Sequence, residues 1–205
     1  NITNPDKNST GTLYFSTIGP NRIWKIEDNG KNLFEITEGV EFDISPDGQQ
    51  IVLAGQGDTG IDIFVMDING SNKINLTSEL NFSSSDPKWS PDGEKIAFQA
   101  GISGSMNDTW IMKPDGSNKI KMTEGDSFLV HYCPEWSRDG SMLSFIKGIG
   151  EKDNGIWSWI DELWIISLTG ESQKLLDSES PNSSAIWNRY NDAIAFISGG
   201  ILFSF

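Results

Sequence analysis

Ile44-Ser45-Pro46-Asp47-Gly48, Trp89-Ser90-Pro91-Asp92-Gly93 and Trp136-Ser137-Arg138-Asp139-Gly140 are three copies of one five-residue phrase. A degenerate fourth copy reads Trp187-Asn188-Arg189-Tyr190-Asn191. Their first residues lie 45, 47 and 51 positions apart, a period that belongs to repeat architectures. Proline presets φ for a tight turn, and Asp-Gly supplies the turn chemistry that follows it. A second marker runs between these copies. Trp24, Phe64, Trp110 and Trp164 are each followed six residues later by Gly30, Gly70, Gly116 and Gly170. Seven residues beyond each glycine come Thr37, Thr77, Thr123 and Asp177. Offsets within each marker stay constant while the gaps between markers vary, which describes a repeated unit with loop insertions.

Each unit reads as four strands. Strand A ends at the Pro-Asp-Gly turn. Strand B is the apolar run after it, at 50–54, 95–99, 142–147 and 192–198. Strand C carries the aromatic marker, and strand D is short and alternating, as in Lys73-Ile74-Asn75-Leu76-Thr77. No stretch combines helical period, caps and length. The expected fold is all-β, a β-propeller of four-stranded antiparallel blades with about five repeats visible. A polar segment, 1–10, precedes units at approximately 11–38, 39–78, 79–124, 125–177 and 178–205.

The Trp-Ser-Pro-Asp-Gly turn, the strand Asp62-Ile63-Phe64-Val65-Met66-Asp67 and the turn Asp115-Gly116-Ser117-Asn118 resemble the TolB-type, WD-repeat-like propeller family. The resemblance covers roughly residues 11–205 and decays toward the C-terminus. It implies a non-enzymatic envelope scaffold that binds a protein or envelope component outside the cytoplasm. It also implies an alternative, because such propellers occur as substrate-gating domains beside peptidase domains. A propeller lyase or hydrolase with its own site wants several His, Lys or Arg in the central funnel. One histidine, His131, weighs against that class.

Strand counting at the two ends gives an expectation about completeness. The first unit lacks a strand A, and the last has strands A, B and C. The two partial blades overlap instead of complementing one another. A larger parent propeller is therefore expected over an open arc with bare sheet edges.

The 205 residues carry 29 acidic and 15 basic side chains, for a net charge of −14. That balance excludes nucleic acid or anionic lipid as the main partner, since both need clustered Lys and Arg. One cysteine, Cys133, excludes an intrachain disulfide framework and a thiolate zinc site. No apolar run is long enough to span a bilayer, so direct membrane insertion is not expected.

Several motifs match chemistry on paper. Gly55-Gln56-Gly57-Asp58-Thr59-Gly60 spells a dinucleotide fingerprint, but a strand follows it where a helix N-terminus is required. Its Asp58-Thr59-Gly60 has no second copy to form a carboxylate pair. Gly101-Ile102-Ser103-Gly104-Ser105 lacks the final glycine of a nucleophile elbow. His131 and Cys133 are two apart on a strand and share a face, though packing is the expected role of both. Asp62, Asp108 and Glu162 recur at the starts of strand C, which points to a structural hydrogen bond. Carboxylates could take calcium, yet no Asp-x-Asp-x-Asn-Gly loop is present, so no cofactor and no metal site is assigned.

Length variation falls on one face, in the B–C and D–A loops, and loops on rigid scaffolds carry binding residues. The longest B–C insertion, 148–161, contains Asp153, Trp157 and Trp159, and the D–A segment beside it holds Asp126, His131 and Tyr132. Aromatic groups beside carboxylates suit a sugar, a peptide or a protein. These six residues are the candidate partner site. Sequons begin at Asn1, Asn8, Asn69, Asn75, Asn81, Asn107 and Asn182, the last six being glycosylation candidates.

Overall fold

A computed structural model describes residues 11–17, 19–102, 105–125, 129–153, 156–178, 184–188, 193–198 and 201–204. Within these, side chains at 102, 105–106, 129–130, 151–159, 177–178, 184, 196–198 and 201–204 are outside the description. The strands fall into five antiparallel sheets in chain order. The first holds β1 (Thr12–Thr17), β2 (Arg22–Glu27) and β3 (Phe34–Glu38). The second holds β4 (Phe42–Ile44), β5 (Gln50–Gln56), β6 (Ile61–Asp67) and β7 (Ile74–Asn75). The third holds β8 (Ser83–Trp89), β9 (Ile96–Ile102), β10 (Ser105–Met112) and β11 (Ile120–Lys121). The fourth holds β12 (Leu129–Trp136), β13 (Met142–Asp153), β14 (Ile156–Ser167) and β15 (Ser172–Ser178). The last holds β16 (Ser184–Trp187), β17 (Ile194–Ser198) and β18 (Ile201–Ser204). Each sheet is a meander of consecutive strands, the construction of a propeller blade.

The five-residue phrase folds as a locked turn. Ser45, Ser90 and Ser137 donate their hydroxyls to Asp47, Asp92 and Asp139 at 2.6, 2.5 and 2.7 Å. The same hydroxyls accept the amides of Gln50, Lys95 and Met142, the residues that begin strand B or immediately precede it. The aspartates also accept the amides of Gln49, Glu94 and Ser141. Gly48, Gly93 and Gly140 sit at φ of +72°, +73° and +72°, where a side chain would be strained. The second marker is pinned as firmly. Thr77 and Thr123 accept the amides of Ile63 and Thr109 at 2.9 Å, tying the end of strand D to strand C.

Blades pack face to face through strand B. Ile51 and Leu53 of β5 cluster with Ile23 of the first blade. Their neighbours Val52 and Ala54 point the other way, into a cluster with Trp89, Ile96 and Phe98 of the third blade. Ala97, between Ile96 and Phe98, joins Trp136, Leu143 and Phe145 of the fourth. Ile146 and Leu163 then meet Ala185 and Ile194 of the fifth. A strand buried on both faces reads as a continuous apolar run.

One expectation is corrected. The 148–161 segment is not a long loop, because β13 and β14 continue as a paired hairpin from Gly148↔Asp161 to Asp153↔Ile156. Ladder hydrogen bonds continue past the blade's edge and hold this charged stretch extended.

The turn lock should be worth measuring. Ser90→Ala or Ser137→Ala removes a buried hydroxyl that serves two partners, and each should cost about 1–2 kcal/mol in urea unfolding. The Ser45 and Ser90 hydroxyls, and at Asp139 the Ser141 amide, hold the three turn carboxyls below their ordinary value. A depressed folded pKa gives stability that is present above the unfolded carboxylate range near pH ~4 and is lost as pH falls through the folded value. Replacing all three aspartates with asparagine should flatten the acid limb of a stability-versus-pH curve.

Candidate functional site

Strand A is the innermost strand of each complete blade, and the residue before its last position, which is Ile44, Trp89, Trp136 or Trp187, is Asp43, Lys88, Glu135 or Ile186. These positions meet across blade boundaries. Asp43 accepts the Trp89 amide at 2.8 Å, and Lys88 pairs with Glu135 at 2.7 Å. The Trp136 indole donates to the Lys88 carbonyl at 3.1 Å. Upstream, Glu41 accepts the Asp86 amide at 2.7 Å. Asp86 and Cys133 occupy equivalent bulges, between Ser85 and Lys88 and between Tyr132 and Glu135, at φ of +51° and +54°. The bulges turn the strand so that the residue two positions on, Lys88 or Glu135, reaches the inner wall.

Several carboxylates therefore surround one ammonium. Burial pushes Asp43 and Glu135 up, against the nearby Lys88 charge. Burial pushes Asp86 to about 6, with Lys88 opposing and Glu41 and Glu135 adding to the rise. For Lys88 burial acts downward, but Glu135, Asp86 and Asp43 outweigh it and hold the ammonium raised. Burial, with the neighbouring Asp86 charge, takes the Cys133 thiol up to about 12, so it is not a ready thiolate.

A groove of about 740 Å³ runs along these inner strands to the A–B turns. Asp43, Lys88 and Glu135 form its floor, and Pro46, Pro91 and Arg138 its turn-side rim. The last blade adds Ile186, which is 59% exposed, and Trp187. Among the described residues the indole N–H groups of Trp89 and Trp187 find no hydrogen-bond partner.

Of the residues expected to bind a partner, His131 and Tyr132 have described side chains. His131 is buried, its Nδ1 3.1 Å from Asp108 and its ring edge-on to Phe145. Tyr132 and Cys133 pack against the cluster between the fourth and fifth blades. The bulge breaks the alternation that would put His131 and Cys133 side by side, and their side chains face Asp108 and Asp86 respectively. Trp157 and Trp159 lie in the backbone of β14 and Asp153 ends β13, with their side chains outside the description. Asp126, Asn8 and Asn182 lie outside the described residues. Asn69 and Asn81 are exposed; Asn69 accepts from the Ser71 amide and hydroxyl within its turn. Asn75 is half-buried and donates to Asp62 at 2.7 Å, and Asn107 is half-buried beside Gln99.

The recurring acids at strand C accept hydrogen bonds within their own blades, mostly from strand D or the residues just after it. Asp62 accepts from Asn75 and Thr77. Asp108 accepts from Thr123, the Gly125 amide and Lys121. Burial would raise Asp108, yet these donors and His131 hold it below the ordinary carboxyl range. Glu162 accepts from Lys174 and the Trp164 indole. Among the described residues no three His, Cys, Asp or Glu side chains are grouped to hold a metal. The inner trio Asp43, Lys88 and Glu135 was the part missed from sequence. Its signal was a charged residue directly before Ile44, Trp89 and Trp136, the first residues of the three clear copies.

Comparison with known proteins adds to this geometry. The family described as the TolB beta propeller domain matches residues 36–187. An uncharacterized protein of Agrobacterium fabrum is 34% identical over 87 residues, covering 41% of this chain and 29% of that protein. The crystal structure of TolB from Acinetobacter baumannii superposes with a TM-score of 0.66 at 14% identity, covering 93% of this chain and 52% of that one. A puromycin-hydrolyzing peptidase of Mycobacterium tuberculosis superposes with a TM-score of 0.65 at 15% identity, covering 98% of this chain and 35% of that one. At these identities the structural likeness is one of fold. The chain spans less than two thirds of each of these relatives.

The inner wall makes a pH prediction opposite in sign to that of the turns. Asp86 has a folded pKa raised above its unfolded value, so its burial penalty grows as pH climbs from the ordinary carboxyl range through about 6. Asp86→Asn should stabilise the chain by on the order of 2–3 kcal/mol at pH 8, and the gain should vanish in acid. Thermal melts across that range read it directly. At the equivalent bulge, Cys133→Asn should be tolerated, while Cys133→Val should cost about 1–3 kcal/mol for forcing a β-branched residue to positive φ.

Proposed function

The chain belongs to the TolB beta propeller domain family, and from that premise we propose that it is a non-enzymatic binding scaffold working outside the cytoplasm. Its partner is a protein or another envelope component. The observation that carries this reading is the inner groove of about 740 Å³, whose charged wall is engaged within the fold while apolar surface at Ile186 stays exposed. Asp43 is tied to the Trp89 amide, Glu135 to Lys88 and His131 to Asp108. None of these groups forms a nucleophile paired with its own base, the arrangement that covalent catalysis needs. Exposed apolar side chains beside fixed polar groups suit a polypeptide surface instead.

The long-loop face supplies a second surface for the same function. There the β13–β14 hairpin extends past its neighbours and carries Trp157 and Trp159. Among the described residues no helix is long and apolar enough to cross a membrane. The likeness to a peptidase propeller supports a second reading, a gating domain for the substrates of a larger hydrolase. In that case catalysis belongs to another domain of the native protein.

Affinity measurements against solubilised envelope fractions, followed by titration with the captured partner, test the scaffold. Ile186→Asp should weaken binding about tenfold or more, the cost of a lost interfacial anchor, with an unchanged melting temperature. Trp157→Ala with Trp159→Ala reports the hairpin face in the same assay. Turnover of peptide substrates by the purified chain, above buffer, would remove the non-enzymatic reading.

A further inference from the structure

Lys73 and Lys119 hold the same place in the repeat, nine residues after the aromatic markers Phe64 and Trp110. Lys119 reaches back to the preceding blade and pairs with Glu79 at 2.5 Å, and it also donates to the Gly116 carbonyl of its own turn. Glu79 stands two residues after the marker Thr77. Two residues after Thr37, at the matching place in the first blade, stands Gly39, so Lys73 meets no such carboxylate. Among the described residues Lys73 forms no ion pair, and its ammonium lies 4.4 Å from the centre of the Phe64 ring. Glu38 attracts it from farther off, but that carboxylate is bound to Arg22 at 2.9 Å.

Packing explains the glycine. A Cβ at position 39 would stand 2.7 Å from the Leu53 side chain and 3.1 Å from that of Ile23, both buried in the core between the first two blades. The chain therefore cannot place a carboxylate there as it does at Glu79. A groove of about 320 Å³ opens at this boundary, beside the B–C and D–A loops. Gly39 and Gly55 line it with bare backbone, and Val40 and Ile61 with apolar side chains. Its charged groups are Glu38 and Lys73. Arg22 neutralises the first, which leaves the ammonium as the charge to be answered. Partial burial draws the Lys73 pKa below the ordinary lysine value, against the field of Glu38. A concave site with apolar walls and one fixed charge suits a small ligand of opposite charge.

We propose that this groove binds a small organic acid, a carboxylate carried on a short apolar body, with the carboxylate set against Lys73 as Glu79 is set against Lys119. The apolar body lies along Val40 and Ile61. The site shares no lining residue with the groove at Ile186, and it stands whether or not that groove binds a protein.

Titration of the native full-length protein with N-acetyl-leucine tests it, followed by NMR of isotope-labelled lysine side chains. The Lys73 signals should shift saturably, with a dissociation constant on the order of a millimolar for a ligand of about a dozen heavy atoms. The pKa read from the same signals should rise on saturation, because a carboxylate partner favours the charged form. N-acetyl-leucinamide keeps the body and lacks the charge. It should bind about fivefold more weakly, the worth of one partly exposed ion pair. Lys73→Gln should weaken the acid by a similar factor, read by calorimetry, with its circular dichroism spectrum unchanged. Lys119→Gln, at the position already paired with Glu79, should leave the affinity where it was. Equal binding of acid and amide would overturn the proposal, as would an equal loss on Lys119→Gln. So would the absence of a saturable shift at Lys73 with the acid at about ten times the expected constant.

Discussion

Everything in this chain depends on strand B being buried on both of its faces. Ile51 and Leu53 lean on the preceding blade while Val52 and Ala54 lean on the following one. A single four-stranded meander has no second layer of its own, so each blade finds its core only in its neighbours. The close fit is visible at Gly39, where an added Cβ would stand 2.7 Å from the Leu53 side chain. Turn locks, threonine pins and bulges all serve to present that strand at the right height and angle. Because the core lies between blades, loops between strands can lengthen without touching it.

The repeat was legible because its punctuation is local. Ser90, Asp92 and Gly93 bond within one turn, and Thr123 pins a strand in its own hairpin, so constant spacing in sequence reports constant geometry. The inner wall was illegible for the opposite reason. Asp43 and Trp89 are 46 residues apart, and Trp136 reaches the Lys88 carbonyl across 48. Nothing in the neighbourhood of either residue announces the other. The 148–161 stretch misled through composition, since Gly148, Gly150, Glu151, Lys152 and Asp153 have weak strand propensity. Pairing across the hairpin overrides that propensity. His131 carried two readings in the sequence, packing and a place in the partner site, and its ring lies between Asp108 and Phe145.

Charge in this protein is sorted by position. The turn carboxylates meet hydroxyl and amide donors at the surface and favour their ionised form. Those on the inner wall crowd one another in a partly dry setting and resist it. The acids at strand C spend their charge on strand D of their own blades and the residues just after it. A net charge of −14 is thus compatible with a tight fold, because most of the buried negative groups have assigned donors. The inner wall keeps a surplus, with Glu41, Asp43, Asp86 and Glu135 around Lys88, which gives that surface a chemical preference.

The outer strands carry a consequence of another kind. β7 and β11 are two residues long, and each leaves one apolar side chain, Ile74 or Ile120, exposed beyond its blade. A strand that short offers too few free amides to seed sheet growth between molecules. The rim of the middle blades can therefore be greasy without being sticky in the ordered, fibril-forming sense. In a crowded compartment, any self-association there would be loose and reversible, held by side chains alone.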